Sequence, residues 1–164
     1  MQQHTVLNYT ERLVAQAVYL YWRKTIGKGY FTMVTLVAAF LIWLVAGGDR
    51  SWMVGLMAAV VLLGVLMPAA VYVVHYRNSM GKLRAMAEPV AQLMADARGF
   101  TVVSDQGTAS MPWSAVKEVW CFDDVWLLLF SKAQFVTLPI ADLPESMQTF
   151  ILDRVKATGG KITV

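Results

Sequence analysis

Two apolar stretches decide the fold of this chain: YFTMVTLVAAFLIWLVA at Tyr30–Ala46 and WMVGLMAAVVLLGVLMPAAVYVVHY at Trp52–Tyr76. Apart from His75, neither contains an acidic or basic residue. At about 1.5 Å of rise per residue, the first stretch predicts a helix of roughly 25 Å and the second a longer one. Both helices can cross a hydrocarbon core of about 30 Å if they tilt modestly or the bilayer thins slightly. Because only Gly47–Ser51 separates the stretches, the pattern predicts a transmembrane helical hairpin over residues 29–76.

The competing interpretation is a pair of core helices in a soluble protein. A core helix usually carries a polar stripe where it meets solvent, whereas these stretches are apolar on every side. Tyr30 and Trp43 flank the first stretch, and Trp52 and Tyr72 flank the second, as aromatic residues do at membrane interfaces. The membrane hairpin is therefore favoured. A cleaved signal peptide is not favoured, because a second apolar stretch follows the first directly.

The positive charges flank the hairpin on one side. Arg12, Arg23, Lys24 and Lys28 precede it, Arg77, Lys82 and Arg84 follow it, and the turn holds only Arg50 beside Asp49. Since positively charged flanks stay in the cytoplasm, the sequence predicts a multi-pass protein of the cytoplasmic (inner) membrane with both termini cytoplasmic. Arg77, Lys82 and Arg84 are candidate contacts for lipid headgroups. The alternative is that they only fix the topology.

The formal net charge of +3 does not indicate a nucleic-acid partner. Residues 1–28 hold four Lys or Arg against Glu11 alone, but from Phe100 onward five Lys or Arg face seven Asp or Glu. The positive excess therefore lies beside the predicted spans, and an acidic soluble region is a poor phosphate-binding surface. The predicted partner is the lipid bilayer, with a protein partner or a homo-oligomer as a further candidate and no nucleic acid.

Residues 1–28 predict a short strand and a membrane-proximal amphipathic helix. Val6 and Leu7 indicate the strand, Thr10 is a candidate helix cap, and apolar residues recur at helical spacing from Leu13 to Ile26. Gly27 and Gly29 are expected to turn the chain into the first span. The helix either lies on the cytoplasmic leaflet, with Trp22 at headgroup depth, or packs on the soluble domain.

The region after the hairpin predicts a juxtamembrane connection over residues 77–98 and a cytoplasmic β domain over residues 99–164. In the connection, Met80–Ala87 extends the second helix and Pro89 ends that regular run. The predicted strands are Phe100–Ser104, Thr108–Met111, Val116–Phe122, Val125–Ser131 and Gln134–Leu138, with turns at Asp105-Gln106-Gly107, Asp123-Asp124 and Lys132-Ala133. A helix from Pro144, with Met147, Phe150, Ile151 and Val155 on one face, closes the domain and stops at Gly159-Gly160. The tail Lys161–Val164 is frayed or adds a strand. The fold class is thus α+β, with a small antiparallel β domain.

The candidate residues for ligand binding, catalysis or cation binding are better explained by structural roles. Trp113 follows a strand and precedes an apolar pair, which is more typical of a core anchor than of a ligand platform. Cys121 is the single cysteine and is expected to be a buried thiol. Asp123-Asp124 suits turn geometry better than cation binding. We therefore predict no catalytic, cofactor-binding or metal-ligating residue, and no enzyme.

The order of strand, helix, two spans and β domain resembles the YcxB-like family of bacterial membrane proteins. The most specific part is Gly107–Val119, with its small residues, Trp113-Ser114 and following apolar pair; Leu138-Pro139 leading into Phe150-Ile151 adds to it. The resemblance implies a cytoplasmic sheet domain like membrane-anchored pleckstrin-homology-type domains. It implies no reaction, because no catalytic motif of the family transfers to these residues.

Two function classes remain at this point. The favoured one is a non-enzymatic, membrane-anchored interaction module that presents the β domain at the cytoplasmic face. The alternative is an accessory subunit of a larger membrane transporter or envelope complex. In that case, Gly55, Ala59 and Gly64 are the candidate positions for packing against partner helices.

Overall fold

A computed structural model describes residues 3–131 and 134–164 of the chain, and its architecture is α+β. The helices are α1 (Glu11–Ile26), α2 (Lys28–Ala46), α3 (Trp52–Ala85) and α4 (Glu145–Ala157). The strands are β1 (Gln3–Asn8), β2 (Val90–Ala95), β3 (Gly99–Ser104), β4 (Gly107–Pro112), β5 (Glu118–Cys121), β6 (Val125–Leu129), β7 (Phe135–Pro139) and β8 (Lys161–Thr163). The turn predicted at Lys132-Ala133 lies outside the described residues.

The described chain divides into two compact units. The β unit contains the residues up to Ala17 together with Ser79–Val164, and the hairpin unit contains Val18–Asn78. The division adds the amino-terminal strand to the β domain, a question that the local sequence pattern left open.

Two helices, α2 and α3, are long and apolar enough to cross a membrane by length and composition, and the hairpin unit contains α2 and residues 52–78 of α3. Gly27, at φ 76°, separates α1 from α2, whereas Gly29 lies inside α2 and takes no part in the turn. The helix α3 has 34 residues, about 51 Å at 1.5 Å per residue. It therefore continues beyond Tyr76, as the sequence predicts, and it ends at Ala85 before Pro89.

The β unit is built from two four-stranded sheets. The first has the order β1-β2-β3-β4 and is antiparallel throughout. The second has the order β7-β6-β5-β8; its β7-β6 and β6-β5 pairs are antiparallel, but β5 and β8 are parallel. The predicted antiparallel β domain is thus confirmed for β1 to β7. The tail adds β8 in parallel to β5, because the chain returns through α4 before it forms this strand.

The strand β2 is an addition to the predicted elements, since residues 77–98 were expected only to connect. It pairs with β1 on one side, where Gln3 lies opposite Ala95, and with β3 on the other, where Ala95 lies opposite Phe100. Neighbouring strands β1 and β2 are thus separated in sequence by all of α1, α2 and α3. The hairpin is an insertion between two paired strands of the β unit.

The core of the β unit lies between the sheets and α4. Its buried members include Leu7 on β1, Leu93 on β2, Val119 on β5 and Leu128 on β6. From α4, Met147, Ile151 and Val155 are buried, as their helical spacing predicts, and α4 packs against β5 and β8. The strands predicted around the Asp105-Gln106 and Asp123-Asp124 turns are all present. The tail forms β8.

Asp142 holds β1 to the turn that follows β7. Its carboxylate accepts hydrogen bonds from the Asn8 backbone N–H (2.6 Å) and side-chain amide (3.1 Å), and its carbonyl oxygen accepts one from the Thr5 hydroxyl (2.6 Å). The Tyr9 hydroxyl donates to the Thr137 carbonyl (3.0 Å). Burial raises the pKa of Tyr9 far above its usual value, and the negative charge of Asp142 raises it further.

Candidate functional site

The outer surface of the helical hairpin is the candidate membrane-contact surface. No residue of α2 is buried within the described chain. Trp43 is 68% exposed and Trp52 is 77% exposed, and both lie next to the turn between the helices. Exposed large apolar side chains occur along both helices, namely Met33, Leu36, Ile42, Leu56, Leu62, Leu63 and Met67 among others. Water-exposed patches of this extent are unusual in soluble monomers and mark protein or membrane contacts.

The inner surface of the hairpin follows helical spacing. The half-buried positions are Tyr30, Val34, Val37, Ala38, Leu41 and Leu44 on α2 and, up to Tyr72, Val54, Met57, Val61, Gly64, Pro68 and Tyr72 on α3. Residues three and four apart share one face of a helix, so each helix has a single packing stripe. A Cβ atom at Gly64 would lie 3.3 Å from Val34, which shows how closely α3 approaches α2 here.

Pro68 interrupts the hydrogen bonds of α3 at the same level. Proline has no backbone N–H, so the carbonyl of the residue four positions earlier, Gly64, loses its helical donor. The Tyr30 hydroxyl donates a hydrogen bond to this Gly64 carbonyl oxygen at 2.9 Å. The indole N–H of Trp22 donates to the Pro68 carbonyl oxygen at 2.8 Å. Side chains of α2 and α1 therefore supply donors at the proline break.

The end of α1 packs on α3 through aromatic rings. The Trp22 ring lies 5.6 Å from Tyr72 and 5.7 Å from Phe31, and the Tyr21 ring lies 5.5 Å from His75. Tyr21 is buried. These side chains contact the hairpin, a partner that neither of the two alternatives from the sequence named. The amphipathic stripe identified Tyr21 and Trp22, but it gave no sign that α3 is their partner.

The three small positions proposed for helix packing do not lie on one side of α3. Gly55 and Ala59 are exposed and one turn apart, and nothing lies within 4 Å of a Cβ at Gly55. Gly64 lies nine residues from Gly55, which corresponds to about half a turn of rotation at 3.6 residues per turn. It packs against α2 of the same chain. Only Gly55 and Ala59 are open to another helix.

The three predicted headgroup contacts also differ in their surroundings. Arg84 forms an ion pair with Glu11 at 3.0 Å, with side chains 67% and 62% exposed, so its charge is partly balanced within the chain. Arg77 and Lys82 are exposed, and within residues 3–131 and 134–164 neither is in an ion pair. They lie five positions apart on α3, which puts them on different sides of the helix. Their contact with lipid stays a prediction.

A groove of about 370 Å³ lies at the end of the first sheet of the β unit. Its lining includes Met94, Thr101, Ser110 and Arg98. The Thr101 and Ser110 hydroxyls are 2.8 Å apart and hydrogen-bonded to each other. The lining also includes Asp96, so it combines small hydroxyl groups with one carboxylate and one cation.

The remaining predicted positions have structural roles. Trp113 is 2% exposed, and its indole N–H donates to the Asp96 carbonyl at 2.8 Å, so the core interpretation is confirmed. Asp124 accepts a hydrogen bond from Gln16 (2.9 Å) in the β5–β6 turn. Cys121 is only half-buried beside the core, not fully buried as expected. Among the described residues, no three His, Cys, Asp or Glu side chains are grouped for metal binding.

The described chain thus joins an α+β unit of two sheets and a closing helix to a pair of long apolar helices. Residues 95–152 match the model of the family described as YcxB-like protein. The match confirms the resemblance of Gly107–Val119 and runs from the end of β2 into α4, leaving out the hairpin. No curated protein and no solved structure matches the chain.

Proposed function

We propose that this protein is a non-enzymatic, membrane-anchored interaction module. In this proposal, α2 and α3 cross the cytoplasmic membrane, both termini are cytoplasmic, and the β unit is a pleckstrin-homology-like domain. The order of four antiparallel strands, three further antiparallel strands and a closing helix supports the comparison with that fold. The anchor raises the local concentration of the β unit at the membrane surface, which strengthens otherwise weak contacts there.

The observation that carries the proposal is the exposed apolar surface of α2 and α3. A core helix of a soluble protein is mostly buried, but no residue of α2 and only Met80 and Leu83 of α3 are buried within the described chain. Exposing this surface to water costs a free energy of roughly 25 cal/mol per Å² of apolar area. In a bilayer the same side chains meet hydrocarbon.

The hydrogen bonds at Pro68 support the same environment. A bilayer core supplies no water, so a carbonyl that lacks its helical donor must find a partner within the protein. At Gly64 the partner is the Tyr30 hydroxyl. Trp43 and Trp52 near the turn and Tyr72 and Tyr76 near the other end fit two interfacial belts. From Trp52 to Tyr72 the helix rises about 30 Å, the thickness of a hydrocarbon core.

Cysteine labelling in intact cells tests the topology. Asp49→Cys and Lys161→Cys are introduced separately into a Cys121→Ala background, and a membrane-impermeant maleimide is added from outside. We expect labelling at position 49 and protection at position 161 until the cells are permeabilised. Labelling at position 161 in intact cells would show that the orientation is the reverse of the proposed one. Extraction of the unlabelled protein by carbonate without detergent would exclude α2 and α3 as a membrane anchor.

Affinity purification in mild detergent tests the role of the anchor. A self-contained module is recovered without a stoichiometric partner from another gene, whereas an accessory subunit brings one with it. A parallel purification of Gly55→Leu with Ala59→Leu controls for a helix partner, because these two exposed positions are open on α3. Loss of a co-purified membrane protein in this variant would support the accessory role and contradict the module.

A further inference from the structure

The strand β4 forms an edge of the first sheet, with β3 on one side. Within residues 3–131 and 134–164, no strand pairs with its other side. Ser104 and Gly107 close the two-residue turn Asp105-Gln106. Hydrogen-bonded and non-hydrogen-bonded pairs alternate along an antiparallel ladder, so the backbone groups of Thr108 and Ser110 point away from β3. This side of β4 can accept another strand.

The edge lacks the features that usually prevent strand pairing. Such edges commonly carry charged residues, proline or a bulge. The run Gly107–Met111 has no charged side chain, and proline occurs only at the last position, Pro112. Every residue from Gly107 to Ser110 is exposed. The opposite edge of the sheet is different, because the Asn8 backbone N–H on β1 is already bound by Asp142.

We propose that β4 pairs with β4 of a second copy of this chain, antiparallel and centred on Ala109. In this register Thr108 lies opposite Ser110 of the second copy, and the reverse pair forms as well. Both are hydrogen-bonded pairs, so the two strands exchange four N–H to carbonyl bonds. Ala109 then lies opposite Ala109 of the second copy, in a non-hydrogen-bonded pair with a Cα separation of about 4.5 Å. The two four-stranded sheets become one continuous sheet.

Charge at the two ends of the strand favours a second copy in this orientation. Arg98 lies at the end near Pro112; its side chain is 94% exposed and lies 3.9 Å from Asp96, at the outer limit of an ion pair. Asp105 lies at the other end, in the β3–β4 turn, where its carboxylate also accepts a bond from the Ala87 N–H. Antiparallel pairing brings the Arg98 end of each copy towards the Asp105 end of the other. A parallel pair would instead bring Asp105 of one copy towards Asp105 of the other.

This inference goes beyond the proposed function and does not depend on where the hairpin lies. The contacts that carry it belong to the β unit alone. Failure of the topology experiment would leave it intact, and failure of the experiment below would leave the membrane anchor intact.

The test uses the full chain in mild detergent, with Ala109→Cys in a Cys121→Ala background. A Cα separation of about 4.5 Å suits a disulfide, so oxidation is expected to give a covalent dimer on a non-reducing gel. Asp153→Cys, an exposed position on α4, is the matched control and should stay monomeric under the same conditions. Absence of the Ala109→Cys dimer overturns the proposal.

A charge exchange gives the second measurement. Thr108→Lys with Ser110→Lys sets lysine opposite lysine twice across the pair, and we expect it to weaken dimerisation about tenfold in sedimentation, because like charges directly opposite destabilise paired strands. Thr108→Lys with Ser110→Glu removes the same two side chains but sets lysine opposite glutamate, so it should restore the dimer. Equal behaviour of these two matched variants, at equal melting temperature, overturns pairing with a second copy and points to a strand of another protein.

Discussion

The Tyr30 hydroxyl lies 2.9 Å from the carbonyl oxygen of Gly64, the acceptor that loses its helical donor because residue 68 is proline. The two residues belong to different helices of the hairpin. The Tyr30 hydroxyl at the start of α2 therefore donates to a carbonyl oxygen that the proline of α3 leaves without a helical donor. The contact fixes the pairing of the helices at this level, since only one register puts the hydroxyl beside the free carbonyl.

We predict that Tyr30→Phe destabilises the hairpin by about 1–3 kcal/mol, the typical cost of leaving one buried acceptor without a donor. Pro68→Ala restores a backbone N–H to α3, so Tyr30→Phe should cost clearly less in that background. Thermal unfolding of the four variants in one detergent measures the coupling. An equal cost of Tyr30→Phe in both backgrounds would show that the hydroxyl does not act through the proline break.

We predict that Trp113→Ala destabilises the β unit by about 3–5 kcal/mol, because a large buried ring is lost from the core. Trp113→Phe keeps a ring but removes the N–H that donates to the Asp96 carbonyl, and should cost about 1–3 kcal/mol. Denaturant unfolding of the full chain checks both values. If Trp113→Ala keeps the melting temperature of the parent while it abolishes binding to a membrane or a protein, the ring is a ligand contact instead.

Gly99→Ala is expected to destabilise the β unit by at least about 1–3 kcal/mol, as overpacking in a closed site does. A Cβ at position 99 would collide with the carbonyl oxygen of Met111 on the neighbouring strand β4, and a backbone atom cannot move aside without shifting the strand. Gly81→Ala is the control: it lies in α3 with nothing within 4 Å of its Cβ, and should stabilise the helix by about 0.5–1 kcal/mol. Equal melting temperatures of the two variants would contradict the close approach of β3 and β4.

The stability of the β unit should depend on pH through Asp96. The backbone N–H of Arg98 (2.7 Å) and that of Gly99 (3.0 Å) donate to its carboxylate and hold the pKa of Asp96 below its usual value, with a smaller effect from the Arg98 guanidinium. A lowered pKa in the folded state gives stability that is complete above about pH 4, the unfolded pKa, and is lost as the pH falls through the folded pKa.

Asp96→Asn should therefore lower the melting temperature at pH 7, and the difference from the parent should shrink as the pH falls below about 4. Asp153→Asn removes one negative charge from the exposed side of α4 and is the control for net charge. A melting-temperature difference between Asp96→Asn and the parent that stays constant from pH 7 to pH 3 would exclude the carboxylate as the source.

Elements with a strong local pattern could be predicted from the sequence. The apolar stretches gave α2 and most of α3, the Asp105-Gln106 and Asp123-Asp124 turns gave two strand pairs, and the spacing of Met147, Ile151 and Val155 gave the buried side of α4. The predicted cap of α1 at Thr10 is also confirmed, since the Thr10 hydroxyl accepts a hydrogen bond from the Leu13 backbone N–H at 3.2 Å. In each case the signal lies within a few residues of the element itself.

Features that depend on distant residues could not be predicted. The strand β2 was missed because Pro89 precedes it and its inward positions include the small Ala91 and Ala95, which give a weak alternation. The parallel pairing of β8 depends on the path of the chain through α4. At the candidate membrane surface, Gly64 was predicted only as a small packing position, and nothing in the local sequence indicated that Tyr30 on another helix would donate to its carbonyl.

The insertion of the hairpin between β1 and β2 sets an order of events during synthesis. The ribosome makes β1 first, but its neighbour emerges only after both long helices, because Asn8 pairs with Val90. The first strand must remain unpaired while α2 and α3 are made, so the β unit completes its first sheet after the apolar helices have left the ribosome. Tyr9 and Pro89 then meet, with the Tyr9 N–H donating to the Pro89 carbonyl at 2.8 Å. Contacts so distant in sequence form slowly, and a nascent chain that stops before β2 exposes Leu7 and the edge of its first strand to aggregation.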